Sequence, residues 1–176
     1  MNKNINKKGF TIIEVVLVLA IAGLIFLMVF VALPRLQMSQ RDTQRRDDVA
    51  AVATAITQYQ SNNSGAMPAD ASPDTTLVNS YLAIGGATFN QPNSETPYTL
   101  NIITATTDGG TTTPATLAEA LTTGEGEAQA QAQAGTTIVV VKGVTCGVEG
   151  ELVPGQARNY AVGIQLEGSG YYCTDN

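Results

Sequence analysis

The sequence predicts an α+β protein in which one long N-terminal helix is followed by an antiparallel sheet that packs on the rear of that helix. Three observations lead to this fold class. Residues 15–33 form an uncharged apolar run, residues 49–59 repeat apolar side chains at helical spacing, and several segments within residues 98–173 alternate like strands. The 176 residues suffice for one globular domain with an anchor, but not for two full domains.

The apolar run predicts a helix that spans a membrane. Its 19 residues, Val15 to Leu33, cover roughly 28 Å at about 1.5 Å of helical rise each, close to the ~30 Å thickness of a bilayer core. Glu14 lies at the edge of this run. Because a carboxylate within hydrocarbon costs on the order of 2.5–3.5 kcal/mol, Glu14 needs a positively charged partner.

The residues around Glu14 resemble the processing site of type IV prepilins and of their pseudopilin relatives. Residues 7–14, KKGFTIIE, combine the end of a short basic leader with a Gly, a Phe and, four residues after the Phe, a Glu. The resemblance implies that a membrane-embedded aspartyl peptidase cleaves after Gly9 and methylates the new amino terminus, Phe10. It also implies that Glu14 pairs with the Phe10 amine of a neighbouring subunit during filament assembly, which would supply the missing positive partner.

Residues 10–34, the predicted membrane and assembly helix, have two weak points, Gly23 and Pro34. A Pro inside a helix removes one hydrogen bond and kinks or loosens the helix, and a Gly lowers helix stability. Many members of the pilin family carry a Pro at the position that matches Val31, whereas Pro34 lies three residues later. The different position of the Pro affects where the helix could unwind when subunits pack.

Residues 35–63 are predicted to continue the helix as an amphipathic segment that reaches into the head. Val49, Val52, Ile56 and Tyr59 recur at spacings of three and four residues. The stretch at residues 61–65, SNNSG, predicts the end of the helix.

Basic and acidic side chains alternate directly after the apolar run. Their simplest interpretation is a solvated helix face with local ion pairs, and the alternative is contact with lipid headgroups or with an acidic neighbour in a filament. The residues concerned are Arg35, Arg41, Asp42, Arg45, Arg46, Asp47 and Asp48.

The remainder of the chain predicts a connecting segment at residues 64–97 and a β-sheet head at residues 98–176. Residues 108–135 are rich in Thr, Gly and Ala and almost free of large apolar groups, so they are expected to form a flexible, exposed insertion. A short helix is possible at residues 73–82, and strands are expected at residues 98–105, 136–145, 158–167 and 171–173.

Cys146 and Cys173 are the two cysteines of the chain. In a protein outside the cytoplasm they are expected to form one disulfide, similar to the bond that closes a C-terminal loop in many pilins. The chain-entropy estimate for a closed loop of about 27 residues is roughly 3.5 kcal/mol. A zinc site completed by two carboxylates and a pair of free buried thiols are the alternatives.

The composition argues against catalysis. Without His, neither a Ser-His-Asp nor a Cys-His pair is possible, and no Gly-rich phosphate loop follows a predicted strand. The acid pairs Glu125/Glu127 and Glu149/Glu151 lie beside glycines in predicted loops, where carboxylates are usually solvated. We therefore predict no enzymatic activity, no cofactor and no metal. The net charge of −6, or −9 once residues 1–9 with their three lysines are removed, argues against direct nucleic-acid binding.

The resemblance implies that the chain is the structural subunit of an extracellular type IV pilus that serves adhesion, motility or DNA uptake. The resemblance implies a single-pass inner-membrane precursor with its leader, residues 1–9, in the cytoplasm. The partners it implies are the prepilin peptidase, an assembly platform with its ATPase, and identical subunits in a helical filament. A pseudopilin of a type II secretion or competence machine shares the same N-terminal residues. A membrane-anchored extracellular binding module and a membrane-anchored enzyme are two further functions compatible with a single membrane-spanning helix.

Overall fold

The computed structural model describes residues 9–71, 74–83, 88–92, 94–105, 116–122, 135–168 and 170–176. The chain divides into two compact units, residues 1–38 and residues 39–176. We call the first unit the anchor and the second unit the head. Of the predicted leader, only Gly9 lies within the described residues.

The first element is one long helix, α1 (Ile12–Asn62), as the sequence predicts. It begins directly after Thr11 and continues through both predicted weak points. It ends within the predicted stop, where the backbone N–H of Gly65 donates to the carbonyl of Gln60 at 2.7 Å. Gly65 has a φ of 81°, the left-handed conformation that commonly closes a helix and that Gly adopts without steric cost.

In the anchor, the apolar side chains of α1 are exposed. Its most apolar window of 18 residues has a mean hydropathy of 3.2, and none of that window is buried. Among the described residues, α1 is the one helix whose length and composition would let it cross a membrane. The anchor therefore does not cover its own apolar surface.

In the head, the rear of α1 packs on one face of a four-stranded sheet. Val49, Val52 and Ile56 are fully buried, and Tyr59 packs at the margin of the same core, which confirms the predicted apolar stripe. Because side chains alternate along a strand, every second residue of each strand faces α1. The buried strand residues on this face are Leu100, Ile102, Ile138, Val140, Tyr160, Val162 and Ile164.

The predicted α+β class with a mainly antiparallel sheet is confirmed, with one parallel pair. The strands lie in the order β1 (Thr99–Thr104), β2 (Thr137–Lys142), β5 (Tyr160–Gln165) and β6 (Tyr171–Asp175). β2 pairs antiparallel with β5, and β5 with β6, whereas β1 pairs parallel with β2. A parallel pair needs a crossover of a dozen residues or more, and the long chain between β1 and β2 supplies it.

The strand predicted at residues 136–145 is divided between two sheets. Gly143, with a φ of 81°, separates β2 from β3 (Val144–Cys146). β3 pairs antiparallel with β4 (Leu152–Pro154) in a second, two-stranded sheet. A β-branched residue at position 143 would not adopt this backbone conformation, so the Gly allows the chain to leave the first sheet.

A second helix, α2 (Leu117–Thr122), covers the other face of the four-stranded sheet. The prediction of an exposed insertion at residues 108–135 is therefore wrong for residues 116–122, and residues 108–115 and 123–134 lie outside the described residues. Three apolar side chains on six residues suffice to dock a short helix when a sheet face is available. The buried residues of α2 are Leu117, Ala120 and Leu121, and they pack with Val139, Val141 and Ala161.

The connecting segment lines the outer edge of β1. The backbone groups of Ala71 and Ile102 exchange two hydrogen bonds, at 2.8 and 3.0 Å. The backbone N–H of Leu77 donates to Asp74 Oδ1 at 2.8 Å, just before a short π-helical turn (Val78–Leu82) inside the helix predicted at residues 73–82.

Candidate functional site

The tip of α1 carries a reciprocal set of hydrogen bonds between Thr11 and Glu14. The backbone N–H of Thr11 donates to Glu14 Oε2 at 3.1 Å, and the Thr11 hydroxyl donates to the same oxygen at 3.0 Å. The backbone N–H of Glu14 donates back to Thr11 Oγ1 at 3.4 Å. This is a capping box, in which a Thr and a Glu three positions later satisfy groups at the helix end that have no intrahelical partner. Glu14 was predicted from the sequence but Thr11 was missed, although the T-x-x-E spacing is a usable signal.

Glu14 is the lone acid of an otherwise apolar tip. The exposed fractions of Phe10, Ile12 and Ile13 are 89%, 85% and 74%. Both side-chain hydrogen bonds that Glu14 accepts end on Oε2, and within the described part of the chain no group binds Oε1. The tip therefore combines a large exposed apolar surface with a carboxylate whose second oxygen accepts no hydrogen bond from the described residues.

Gly9 and Gly23 are not required by contacts within the described chain. A Cβ built on either residue would meet no other atom within 4 Å. An unnecessary Gly inside a helix costs about 1 kcal/mol relative to Ala. Gly23 lies inside α1, so a requirement for Gly at this position would have to come from a molecule that the chain contacts.

Cys146 and Cys173 form a disulfide in the head, with their Cα atoms 6.0 Å apart. Cys146 ends β3 and Cys173 lies in the middle of β6, so the bond joins the two-stranded sheet to the edge of the four-stranded sheet. Because both sulfurs are used in this bond, the zinc site and the free thiols that the sequence left open do not occur.

Charged side chains of α1 meet the turn between β5 and β6 in a second polar site, which we call the neck cluster (Arg41, Asp42, Arg45 and Glu167). The Asp42 carboxylate accepts the backbone N–H groups of Glu167 and Gly168 at 2.9 and 3.0 Å. Glu167 Oε2 lies 2.7 Å from Arg41 Nη2, and Glu167 Oε1 lies 2.6 Å from Arg45 Nη2. Arg45 Nη1 lies 3.0 Å from Asp42 Oδ1. The exposed fraction of Arg45 is only 4%. The cluster thus joins the helix to a turn 122 residues further along the chain.

The interpretation of this stretch as a solvated helix face is therefore wrong for Asp42 and Arg45. The sequence predicted local ion pairs along this stretch without naming them, and no local pattern could indicate Glu167. Burial by itself raises the pKa of Asp42, but the N–H donors of Glu167 and Gly168 and the Arg45 guanidinium outweigh burial, so this pKa lies below its ordinary value. Burial by itself also raises the pKa of Glu167. The guanidinium groups of Arg41 and Arg45 outweigh burial, so the pKa of Glu167 lies below its ordinary value.

A further polar contact extends this region along α1. The Tyr98 hydroxyl donates to Asp48 Oδ2 at 2.8 Å. Burial raises the pKa of Asp48, and the hydrogen bond from Tyr98 only partly opposes this effect. Two residues earlier in α1, the Arg46 guanidinium lies 5.7 Å from the ring centre of Tyr172, within the range of a cation–π interaction.

The described residues contain no group of three or more His, Cys, Asp or Glu side chains placed to hold a metal ion. Of the predicted acid pairs, Glu151 is exposed, whereas Glu125, Glu127 and the side chain of Glu149 lie outside the described residues. The tip of α1, where exposed apolar side chains surround a single carboxylate, is the candidate functional site.

Residues 4–30 match the prokaryotic N-terminal methylation motif, which is the signature of type IV pilins and prepilins. The match includes Gly9, Phe10, Thr11, Glu14 and Gly23. No curated protein and no solved structure matches the chain. The pilin signature therefore stands at the N-terminus, and the match does not extend into the head.

Proposed function

We propose that this chain is the structural subunit of an extracellular type IV pilus, cleaved after Gly9 and polymerised through α1. The observation that carries the proposal is the exposed apolar anchor with a lone acid at its tip, inside residues that match the N-terminal methylation motif. The disulfide of the head supports a location in an oxidising compartment outside the cytoplasm.

The anchor surface supports a mechanism with two successive environments. In the precursor, the apolar side chains of residues 15–33 lie in the bilayer, with the leader in the cytoplasm. In the filament, the same side chains pack against the anchors of other subunits. Transfer between two apolar environments changes little apolar exposure to water, so van der Waals packing and polar contacts decide the balance.

Glu14 is the polar contact that would decide register. An acid among packed apolar helices is disfavoured unless a positive charge lies within reach. Methylation by the prepilin peptidase leaves the Phe10 amine positively charged, so a neighbour's Phe10 would provide that charge. Subunits displaced along the filament axis would leave both charges unpaired, and we propose that this penalty selects one axial position.

The remaining partners follow from this role. We propose that the prepilin peptidase recognises the residues around Gly9, that an assembly platform with its ATPase extracts the subunit from the inner membrane, and that the head forms the outer surface of the filament. The head would then mediate adhesion, motility or DNA uptake without catalysis, cofactor or metal. A pseudopilin of a type II secretion or competence machine would use the same tip, since the methylation motif is common to both.

Complementation of cells that lack this chain tests the proposal. Gly9→Ser should leave Met1 or the leader on the protein, as shown by mass spectrometry of the N-terminus, and no filaments should form. Glu14→Ala should be processed normally but form at least tenfold fewer filaments by electron microscopy. Glu151→Ala, which removes an exposed acid of the head, is the matched control and should assemble normally.

Three results would contradict or restrict the proposal. Normal filament numbers with Glu14→Ala would refute the pairing. A native protein that is monomeric and unprocessed in cells would refute the subunit role and favour an anchored binding module. Filaments that remain confined to the periplasm, with loss of protein secretion or DNA uptake when the chain is deleted, would assign the chain to a secretion or competence machine instead.

A further inference from the structure

We infer that Thr11 is a positioning residue for assembly, which holds the Glu14 carboxylate by Oε2 so that Oε1 is presented to the amine of a neighbouring subunit. This inference rests on the proposed function and deepens it. The proposed function requires only that Glu14 be charged and near the tip. Here its two carboxylate oxygens have separate roles, since Oε2 is held by Thr11 and Oε1 faces the amine.

The division of tasks follows from the hydrogen bonds at the tip. Two donors of one residue, the backbone N–H and the hydroxyl of Thr11, converge on Oε2 at 3.1 and 3.0 Å. The hydroxyl can donate to Oε2 and at the same time accept the backbone N–H of Glu14 at 3.4 Å, because a hydroxyl has one proton and two lone pairs. These bonds use one carboxylate oxygen and leave the other without a partner in the described part of the chain.

Holding the carboxylate in advance matters because Glu is a flexible side chain. A free Glu loses rotamer freedom when it forms an ion pair, and that loss opposes association. In the capping box the loss occurs when the helix forms, before any neighbour arrives. The incoming amine then meets an oriented acceptor, which is the usual benefit of preorganisation.

The same bonds make the acid tolerable while the subunit is still in the membrane. Glu14 precedes the uncharged run by one residue, so its carboxylate lies at or near the edge of the hydrocarbon. A polar group there is less costly when it is hydrogen-bonded within its own chain. Thr11 thereby serves Glu14 in both environments, and a neighbour's amine adds to the capping box without displacing it.

An ordinary N-terminal cap would have the same hydrogen bonds, so the variants must separate helix capping from the orientation of the carboxylate. Thr11→Val keeps the shape of the side chain and removes its hydroxyl. Thr11→Ser keeps the hydroxyl and is the matched rescue. Glu14→Gln keeps an oxygen that can accept from Thr11 and removes the charge.

Filament yield, normalised to the amount of processed subunit, is the first measurement. Loss of a hydrogen bond to a charged group is expected to reduce assembly by about tenfold in Thr11→Val, whereas Thr11→Ser should stay within about twofold of wild type. Glu14→Gln should not assemble, because a capped but neutral residue does not attract an amine. The melting temperature of the head should be unchanged in all three variants, since residues 11 and 14 lie in the anchor.

The second measurement does not depend on processing or assembly. In the unprocessed full chain in bicelles, the amide proton of Thr11 should exchange at least fivefold faster with solvent in Glu14→Ala than in wild type, and Glu14→Gln should stay close to wild type. Equal exchange in wild type and Glu14→Ala would overturn the capping box. Wild-type filament yield in Thr11→Val, with Glu14→Ala still defective, would overturn the positioning role but leave the proposed function intact. Wild-type yield in both variants would refute the proposed function as well.

Discussion

Leu117 of α2 fills the space above Gly163 in the middle of β5. A Cβ built on Gly163 would clash with both terminal methyl groups of Leu117. Gly163 lies between Val139 of β2 and Cys173 of β6, at the centre of the sheet face that α2 covers. The absence of a side chain at this one position therefore lets α2 dock closely on the sheet.

We predict that Gly163→Ala destabilises the head by about 1–3 kcal/mol, because the added methyl group overpacks the contact with Leu117. Leu117→Ala should cost about 2–5 kcal/mol through the cavity it leaves. The double variant should cost less than the sum, since each change relieves the other. Urea unfolding of the full chain in detergent, followed by tyrosine fluorescence, measures these effects because all six Tyr residues lie in the head. If the free-energy changes of the two single variants add up strictly in the double variant, Leu117 does not clash with the methyl group added at position 163.

The neck cluster predicts a large effect from one cation. Arg45→Met keeps most of the side-chain volume but leaves Asp42 and Glu167 without their buried counter-ion, which should lower the free energy of unfolding by about 3 kcal/mol. Arg158→Met removes an exposed Arg of the same unit and should change stability by less than about 0.5 kcal/mol. Similar urea midpoints for the two variants would mean that the cluster does not stabilise the join between α1 and the β5–β6 turn.

The pKa directions predict loss of stability in acid. The pKa values of Asp42 and Glu167 in the folded chain lie below the ordinary values of about 3.9 and 4.3, so the folded state binds fewer protons than the unfolded state. Their stabilisation is complete above about pH 5 and is lost as the pH falls through 4 toward the folded pKa values. Asp48 acts in the opposite sense, because its raised pKa lets the folded state take up a proton first.

The test is the urea midpoint of the head between pH 3 and pH 7. Asp42→Asn should lower stability at neutral pH and flatten the decline below pH 4. Glu151→Gln, a change at an exposed carboxylate of the head, is the control. A decline that stays as steep in Asp42→Asn as in wild type would exclude Asp42 as a source of the acid sensitivity.

The disulfide predicts a redox-dependent stability. A closed loop with a sequence separation of 27 residues corresponds to roughly 3.5 kcal/mol of chain entropy, so reduction should lower the melting temperature of the head by several degrees or more. The paired variant Cys146→Ala/Cys173→Ala should melt like the reduced wild type and should not respond to reductant. Identical melting of the oxidised and reduced wild type would show that the bond does not limit unfolding.

Much of the fold could be predicted because it is encoded in local spacing. The three- and four-residue repeat of Val49, Val52 and Ile56 specifies which side of α1 faces the sheet, and the alternation at residues 160–164 specifies which side of β5 does so. Part of the candidate site could also be predicted, since Glu14 is a charged residue at the edge of an apolar run. Thr11 was missed because a Thr next to a helix start indicates a capping box only when it is considered together with Glu14, three residues later.

What could not be predicted depends on residues far apart in the chain. The parallel pairing of β1 with β2 depends on the path taken by the long connection between them. The burial of Arg45 depends on Glu167, and the docking of α2 depends on the missing side chain of Gly163. None of these distant partners leaves a periodic signal near the residue it affects.

Residue type and spacing over a few positions were enough to specify the apolar anchor, its single acid, the helical and strand-forming segments and the two cysteines. The sheet order, the docking of α2, the closure of the neck cluster and the use of Glu14 Oε2 by Thr11 became known from the three-dimensional arrangement of the chain. These features depend on which groups the folded chain brings within hydrogen-bonding or van der Waals distance, and that is a property of the chain path rather than of local pattern.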